Sequence, residues 1–238
     1  MKLVFEFAKT GNMIYVSHLD LSRLFLRVLR MAGLRPAYSH GFNPHPKMSF
    51  ALPLSLGLHS VCELLEFEID TLETSGISEG KSEIISKKVI IANDRLPDGV
   101  RIRAWFEKPA GVTKSLASLA MAATYEFMCD GLADAPGKLE TFFGHDRVLA
   151  AKRDKKTGGE KEVDIRPLMH GYRIVKDMRG RMLAEATLAS APSGTLNPQV
   201  FFGAFCEASG LIDKGLSPVI TRTAILSADG KPLREGLR

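Results

Sequence analysis

The chain of 238 residues predicts an α+β fold of two tandem ferredoxin-like lobes. Each lobe is a β-α-β-β-α-β unit with an antiparallel sheet, and the second carries an inserted hairpin. Three observations predict it. Apolar residues alternate with period two in short runs over residues 2–8, 48–56, 63–69 and 100–106, which is the pattern of half-buried strands. Helix-period stretches at residues 18–32 and 78–91 fall between the first and second runs and between the third and fourth. A similar order of elements follows the junction Pro109-Ala110-Gly111, and a chain of this length holds two domains of about 100–150 residues. The lobes are read as residues 1–110 and 111–228, with residues 229–238 as a polar tail.

In the first lobe, Leu3, Phe5 and Phe7 alternate with Lys2, Val4, Glu6 and Ala8. Thr10-Gly11-Asn12 ends that strand, and Ser17 then supplies an N-cap with Asp20 three residues on, an acidic form of the capping box. Leu21, Leu24, Phe25, Val28, Leu29 and Ala32 recur at helical spacing until Gly33 closes the helix. Met48, Phe50, Leu52, Leu54 and Leu56 alternate as a second strand. Leu65, Phe67 and Ile69 mark a third, and Val100, Ile102 and Ala104 a fourth. The open face of such a sheet is a common RNA platform, because aromatic rings project from its central strands.

In the second half, residues 115–123 are rich in small residues and read as a helical connector. A strand over 124–129, a short helix over 137–143 and a strand over 147–152 follow, then a polar Gly-rich hairpin tip at 155–161. Strands over 172–175 and 182–188 are joined by a turn at 177–180. Asn197-Pro198 opens a helix with proline in its first turn, and residues 218–226 form the closing strand.

Composition bounds the function. Hydrophobic residues make up 45% and charged residues 25% of the chain, ordinary for a soluble globular protein. No apolar run approaches the 18 residues of a membrane span, and the first residues read as a strand rather than a signal peptide. A cytoplasmic location with no membrane partner is expected. Cys62, Cys129 and Cys206 are far apart and form no zinc-knuckle or iron–sulfur spacing, which suits free thiols in a reducing compartment. No phosphate-cradling glycine loop, nucleophile elbow or H-E-x-x-H metal motif is present. No metal site and no cofactor on this chain are therefore expected. The net charge of +5 favours polyanionic partners such as RNA, phosphate-bearing ligands or an acidic protein surface. RNA is the expected partner among them, and no DNA partner is expected.

The functional candidates concentrate in three places. Arg23, Arg27 and Arg30 share one face of the first helix, and no acidic residue lies between Arg23 and Arg35. Mixed signs are usual on a solvated face, so this stripe suits phosphates. Residues 39–50 pack His40, Phe42, Asn43, His45, Lys47 and a second phenylalanine among two prolines and a glycine. Two X-Pro steps stiffen that loop, and Ser39, His40, Phe42, Asn43, His45 and Lys47 are expected to contact RNA or a partner. Between Lys152 and Arg181 there are ten Lys/Arg against five Asp/Glu. Lys152, Lys155, Lys156, Asp164 and Arg166 are the expected contacts there, with Asp164 and Arg166 as an internal ion pair or a site pair. The alternative is an enzyme using His18, Asp20, His40 and His45 as an acid–base or metal group. A third reading is a protein–protein adaptor with no RNA role.

Several of these residues also carry a resemblance. Tyr15-Val16-Ser17-His18-Leu19-Asp20, the basic helix after it, Tyr38-Ser39-His40-Gly41-Phe42-Asn43-Pro44-His45-Pro46-Lys47, Leu54-Ser55-Leu56-Gly57 and Glu63-Leu64-Leu65-Glu66 resemble the radical-SAM-linked domain family of unknown function. Lys161-Glu162-Val163-Asp164-Ile165-Arg166-Pro167 resembles that family's second motif. The resemblance implies a partner of a cobalamin-binding radical SAM protein, in a setting of RNA and translation. It assigns no role to individual residues. The three-cysteine cluster motif is absent here, so radical chemistry belongs to another chain. The expected function is a non-catalytic accessory protein that presents RNA or a translation component for modification.

Overall fold

Leu3, Phe5 and Phe7 of β1 (Lys2–Lys9) are fully buried on one side of the strand. They meet Leu21, Phe25, Val28 and Leu29 of α1 (His18–Met31), the apolar positions that helical periodicity brings to a single stripe. Phe7 and Phe25 stand 4.6 Å apart, ring centre to ring centre. β2 (Met48–Phe50) and β3 (His59–Glu68) add Phe50, Leu65 and Phe67 to the same core. α2 (Lys81–Asn93) adds Ile85, Val89 and Ala92, and β4 (Val100–Glu107) adds Val100 and Ile102. Each large apolar side chain so buried contributes about 1.5–3 kcal/mol.

The structure is a computed structural model and describes residues 1–70, 80–129, 135–153, 159–176, 182–211 and 217–237. The chain is mixed α+β, divided into one unit of Met1–Ala120 with Lys231–Arg238 and another of Met121–Gly230. Within each unit the described strand pairings are antiparallel. In the first, β1 lies between β3 and β4, with Phe5 opposite Leu65 and Trp105, and β2 pairs the far side of β3. The order is β2-β3-β1-β4.

Several features depart from the sequence expectation. The second strand stops at Phe50 instead of running to residue 56. Pro53 has no N–H to offer a ladder, and Leu52, Leu54 and Leu58 are buried from an irregular segment instead. Among the described residues, the central strands of the first unit also offer no open aromatic platform. Every residue from Leu3 to Phe7 and from Glu63 to Phe67 is buried. Charges caught there are paired: Glu66 Oε2 accepts from Lys108 Nζ at 2.7 Å, and Glu6 Oε1 accepts from Arg234 Nη1 at 2.8 Å. Residues 229–238 are not uniformly polar in their surroundings, since Leu233 and Leu237 are buried.

Buried Lys9 ties the end of β1 to the approach to α1. Its Nζ donates to the carbonyls of Val16 at 2.8 Å and Ile14 at 3.4 Å. Burial pushes its pKa down, and the Glu63 carboxylate opposes that shift.

α3 (Leu116–Leu119) is a four-residue turn of helix just before the second unit begins. Ala122 and Ala123, expected in the connector, already belong to β5 (Ala122–Cys129). β5 pairs with β9 (Met182–Ala191) and with β11 (Val219–Leu226). β8 (Met169–Lys176) and β10 (Gly194–Thr195) both pair with β9. β6 (Leu149–Arg153) and β7 (Glu160–Asp164) form a separate two-stranded ribbon. α4 (Ala135–Gly144) and α5 (Pro198–Ala208) supply an aromatic core, in which Phe142 lies 5.7 Å from Phe201 and 5.5 Å from Phe205.

Candidate functional site

α1 begins with a closed set of polar contacts. The Asp20 amide donates to Ser17 Oγ at 3.1 Å, and Ser17 Oγ donates to Asp20 Oδ2 at 2.7 Å. Arg23 Nη1 donates to Asp20 Oδ1 at 2.9 Å. The Ser17 hydroxyl, and after it Arg23, hold the Asp20 carboxyl below the usual carboxylate range. This arrangement starts the helix and fixes Arg23.

Arg27 and Arg30 follow at spacings of four and three residues, on the same exposed stripe. Among the described residues, neither guanidinium has a hydrogen-bonding or ion-pair partner. The chain then turns at Gly33 and returns extended past the helix. Pro36 bridges Ile69, and the Ala37 amide donates to the Glu68 carbonyl at 2.7 Å. On its other side, the Ala37 carbonyl accepts from the Lys47 amide at 2.8 Å, and Tyr38 bridges Pro46. That segment adds Arg35 and Tyr38 to a groove of about 670 Å³ whose other wall is the arginine stripe. Among the described residues, four arginines, Arg23, Arg27, Arg30 and Arg35, share its lining with one carboxylate, Asp70.

The loop over residues 39–47 grows from the same wall. Ser39 closes its neck twice: its amide donates to the His45 carbonyl at 2.8 Å, and its Oγ accepts from the His45 amide at 2.9 Å. His40, Phe42, Asn43 and His45 are exposed beyond that neck, Phe42 fully so. Gly41 turns the tip at φ +124°, backbone that a side chain would strain. Lys47 is committed, because its Nζ meets Glu68 Oε1 at 3.0 Å.

The three histidines are not gathered. His18 is half-buried with its ring edge-on to Phe50 at 4.9 Å, a packing contact. Among the described residues, no group of three His, Cys, Asp or Glu side chains is placed to hold a metal ion.

In the second unit, Lys155 and Lys156 lie outside the described residues. Lys152 stands opposite Lys161 in the β6–β7 ribbon, and its side chain is likewise outside the description. Asp164 and Arg166 do not join side chain to side chain. Asp164 Oδ1 accepts from the backbone amides of Arg166 at 3.0 Å and Val148 at 3.1 Å. Those two donors, with Arg147 beside them, hold its carboxyl below the ordinary value. Arg166 instead ties two backbone carbonyls, Nε to His145 at 3.0 Å and Nη1 to Met169 at 3.2 Å. The motif is a clasp around the ribbon's base. Its contribution is present above the unfolded carboxylate pKa of about 3.9 and is lost as pH falls through the lower folded value. Asp164→Ala should make the Val148 and Arg166 amides exchange several-fold faster at neutral pH, read by hydrogen exchange. Wild type should show the same loss only in acid.

Residues 2–198 match the model of a family described as an uncharacterized protein conserved in bacteria (DUF2344). The chain belongs to this family. The matched span covers the arginine groove, the loop at 39–47 and the clasp at 164–166 of this DUF2344 member. No curated protein matches it. Sequence reasoning missed Arg35, Tyr38 and Asp70 as groove residues. Arg35 was visible as the next basic residue after the stripe, but Gly33 separates it from the helix, so only the chain's return places it.

Proposed function

We propose that this protein is a non-catalytic accessory subunit that binds RNA in its arginine groove and presents it to a radical SAM partner. The observation that carries the RNA part is the charge of one concavity, where Arg27 and Arg30 stand beside Arg23, itself paired with Asp20, and Arg35, with Asp70 as the one carboxylate among the described lining residues. Such a site draws polyanions and loses affinity as salt rises. The radical SAM partner rests on the motif resemblance at Ser17-His18, 39–47 and 164–167. The cytoplasmic setting rests on three unbridged cysteines. No described helix is long and apolar enough to cross a membrane.

A pair of ferredoxin-like lobes suits the element order. β2-β3-β1-β4 is the split β-α-β arrangement, and β8-β9-β5-β11 repeats it once the β6–β7 ribbon is set aside as an insertion.

Tagged protein recovered from native cells, with and without ribonuclease, tests the function when both bound proteins and bound RNA are read out. Wild type should retain RNA, and the Arg27→Ala plus Arg30→Ala variant should not. Equal RNA retention by both would remove the groove from the proposal. A partner held through ribonuclease, with no RNA in either sample, would establish the adaptor reading in its place.

A further inference from the structure

The groove has two kinds of wall, and the second kind narrows what it binds. We propose that it takes single-stranded RNA, with an unpaired base on the Tyr38 ring and neighbouring phosphates on Arg27 and Arg30. This rests on the RNA reading above and goes beyond it by choosing the strand state.

Three observations support single strands over duplex. The cations line the inside of a concavity of about 670 Å³ rather than standing on a convex ridge. An A-form duplex presents its own convex surface and is met by side chains reaching outward across its shallow groove. Apolar groups also share the lining, Leu26, Met31, Pro36 and the Tyr38 ring, which phosphates alone would not need. Base faces and sugars do. Finally, Tyr38 is 43% exposed while its backbone is held by the bridge to Pro46 and by both hydrogen bonds of Ala37. An exposed aromatic side chain on a held backbone suits base stacking, and stacking tolerates any base.

Arg27 and Arg30 complete the geometry. Three residues of helix separate them by about 4.5 Å along the axis. That is well within the screening length of about 8–10 Å at ordinary salt, so their fields add. A strand bearing a phosphate at every nucleotide neutralises both at once, whereas an acidic peptide must place two flexible carboxylates there.

Fluorescence anisotropy on the intact chain tests the proposal with three labelled probes. These are an RNA of about ten nucleotides without secondary structure, the same strand annealed to its complement, and a polyglutamate peptide. Wild type should bind the single strand at least about tenfold more tightly than the duplex. Tyr38→Ala should weaken the single strand by about tenfold and leave the duplex unchanged, while Tyr38→Phe should keep wild-type affinity. Should Tyr38→Ala lose its folded circular-dichroism spectrum, Tyr38→Leu, which keeps apolar bulk without the aromatic face, carries the test, with the same expected loss. Equal affinity for the two RNAs, or no effect of either variant, overturns the single-strand proposal. RNA binding abolished by the double arginine variant would then still stand. Failure of both RNAs to bind, or polyglutamate displacing the single strand at equal concentration, overturns the RNA reading and this proposal with it.

Discussion

Alanine at both Arg27 and Arg30 is expected to weaken RNA binding by roughly 10–100-fold near 0.1 M salt. The same change should flatten the plot of log affinity against log salt by roughly 1.4 for single strands, about 0.7 for each phosphate no longer neutralised. Both effects follow from the partnerless guanidiniums, which have no protein carboxylate among the described residues to share their charge. Arg23→Ala makes an informative control. Asp20 lies 2.9 Å from the Arg23 guanidinium, so a phosphate there must compete with a carboxylate and the loss should be smaller. Filter binding across a salt series reads all three. An unchanged slope in the double variant would mean that phosphates never reach α1.

Lys108→Ala is expected to destabilise the first unit by about 3–5 kcal/mol, the range for removing one partner of a buried ion pair. The Lys108 side chain is 1% exposed, and its Nζ serves both Glu66 at 2.7 Å and the Lys114 carbonyl at 2.7 Å. Without it, buried Glu66 keeps only Lys2, at 3.8 Å, among the described ion pairs. The cost is that of a stranded charge rather than the net worth of the pair. The double change Glu66→Gln with Lys108→Met should therefore recover most of the loss. Urea denaturation of the three proteins decides it, and a single-variant loss below about 1 kcal/mol would indicate that water reaches the pair.

Local chemistry made much of this molecule legible. The alternation of Leu3, Phe5 and Phe7 and the Ser17 cap with its periodic leucines describe β1 and α1 closely, because one strand face and one helix stripe each needed only nearby residues. Ala122 and Ala123 show where propensity is overruled. Alanine favours helix, yet pairing with Ala189 and Leu188 of β9 holds them in a strand. Lys47 looked like an open cation in a loop, and nothing nearby in sequence announces its partner Glu68, 21 residues away. The groove was half visible. Its arginine wall obeys helical spacing, but the wall bearing Tyr38 is held by backbone bonds to residues 46–47 and 68–70.

The pairing of Glu6 with Arg234 spans 228 positions of chain, and it has a consequence for biosynthesis. Glu6 occupies the strand that all of the first unit's core is built around, yet its counter-ion is translated only after the whole second unit. At the usual 5–20 residues per second, on the order of ten seconds separate emergence of residue 120 from that of Arg234. A nascent chain must spend that interval with a carboxylate in its central strand awaiting a cation. The first half can collapse on the ribosome, but its final stability arrives only once Arg234 has emerged.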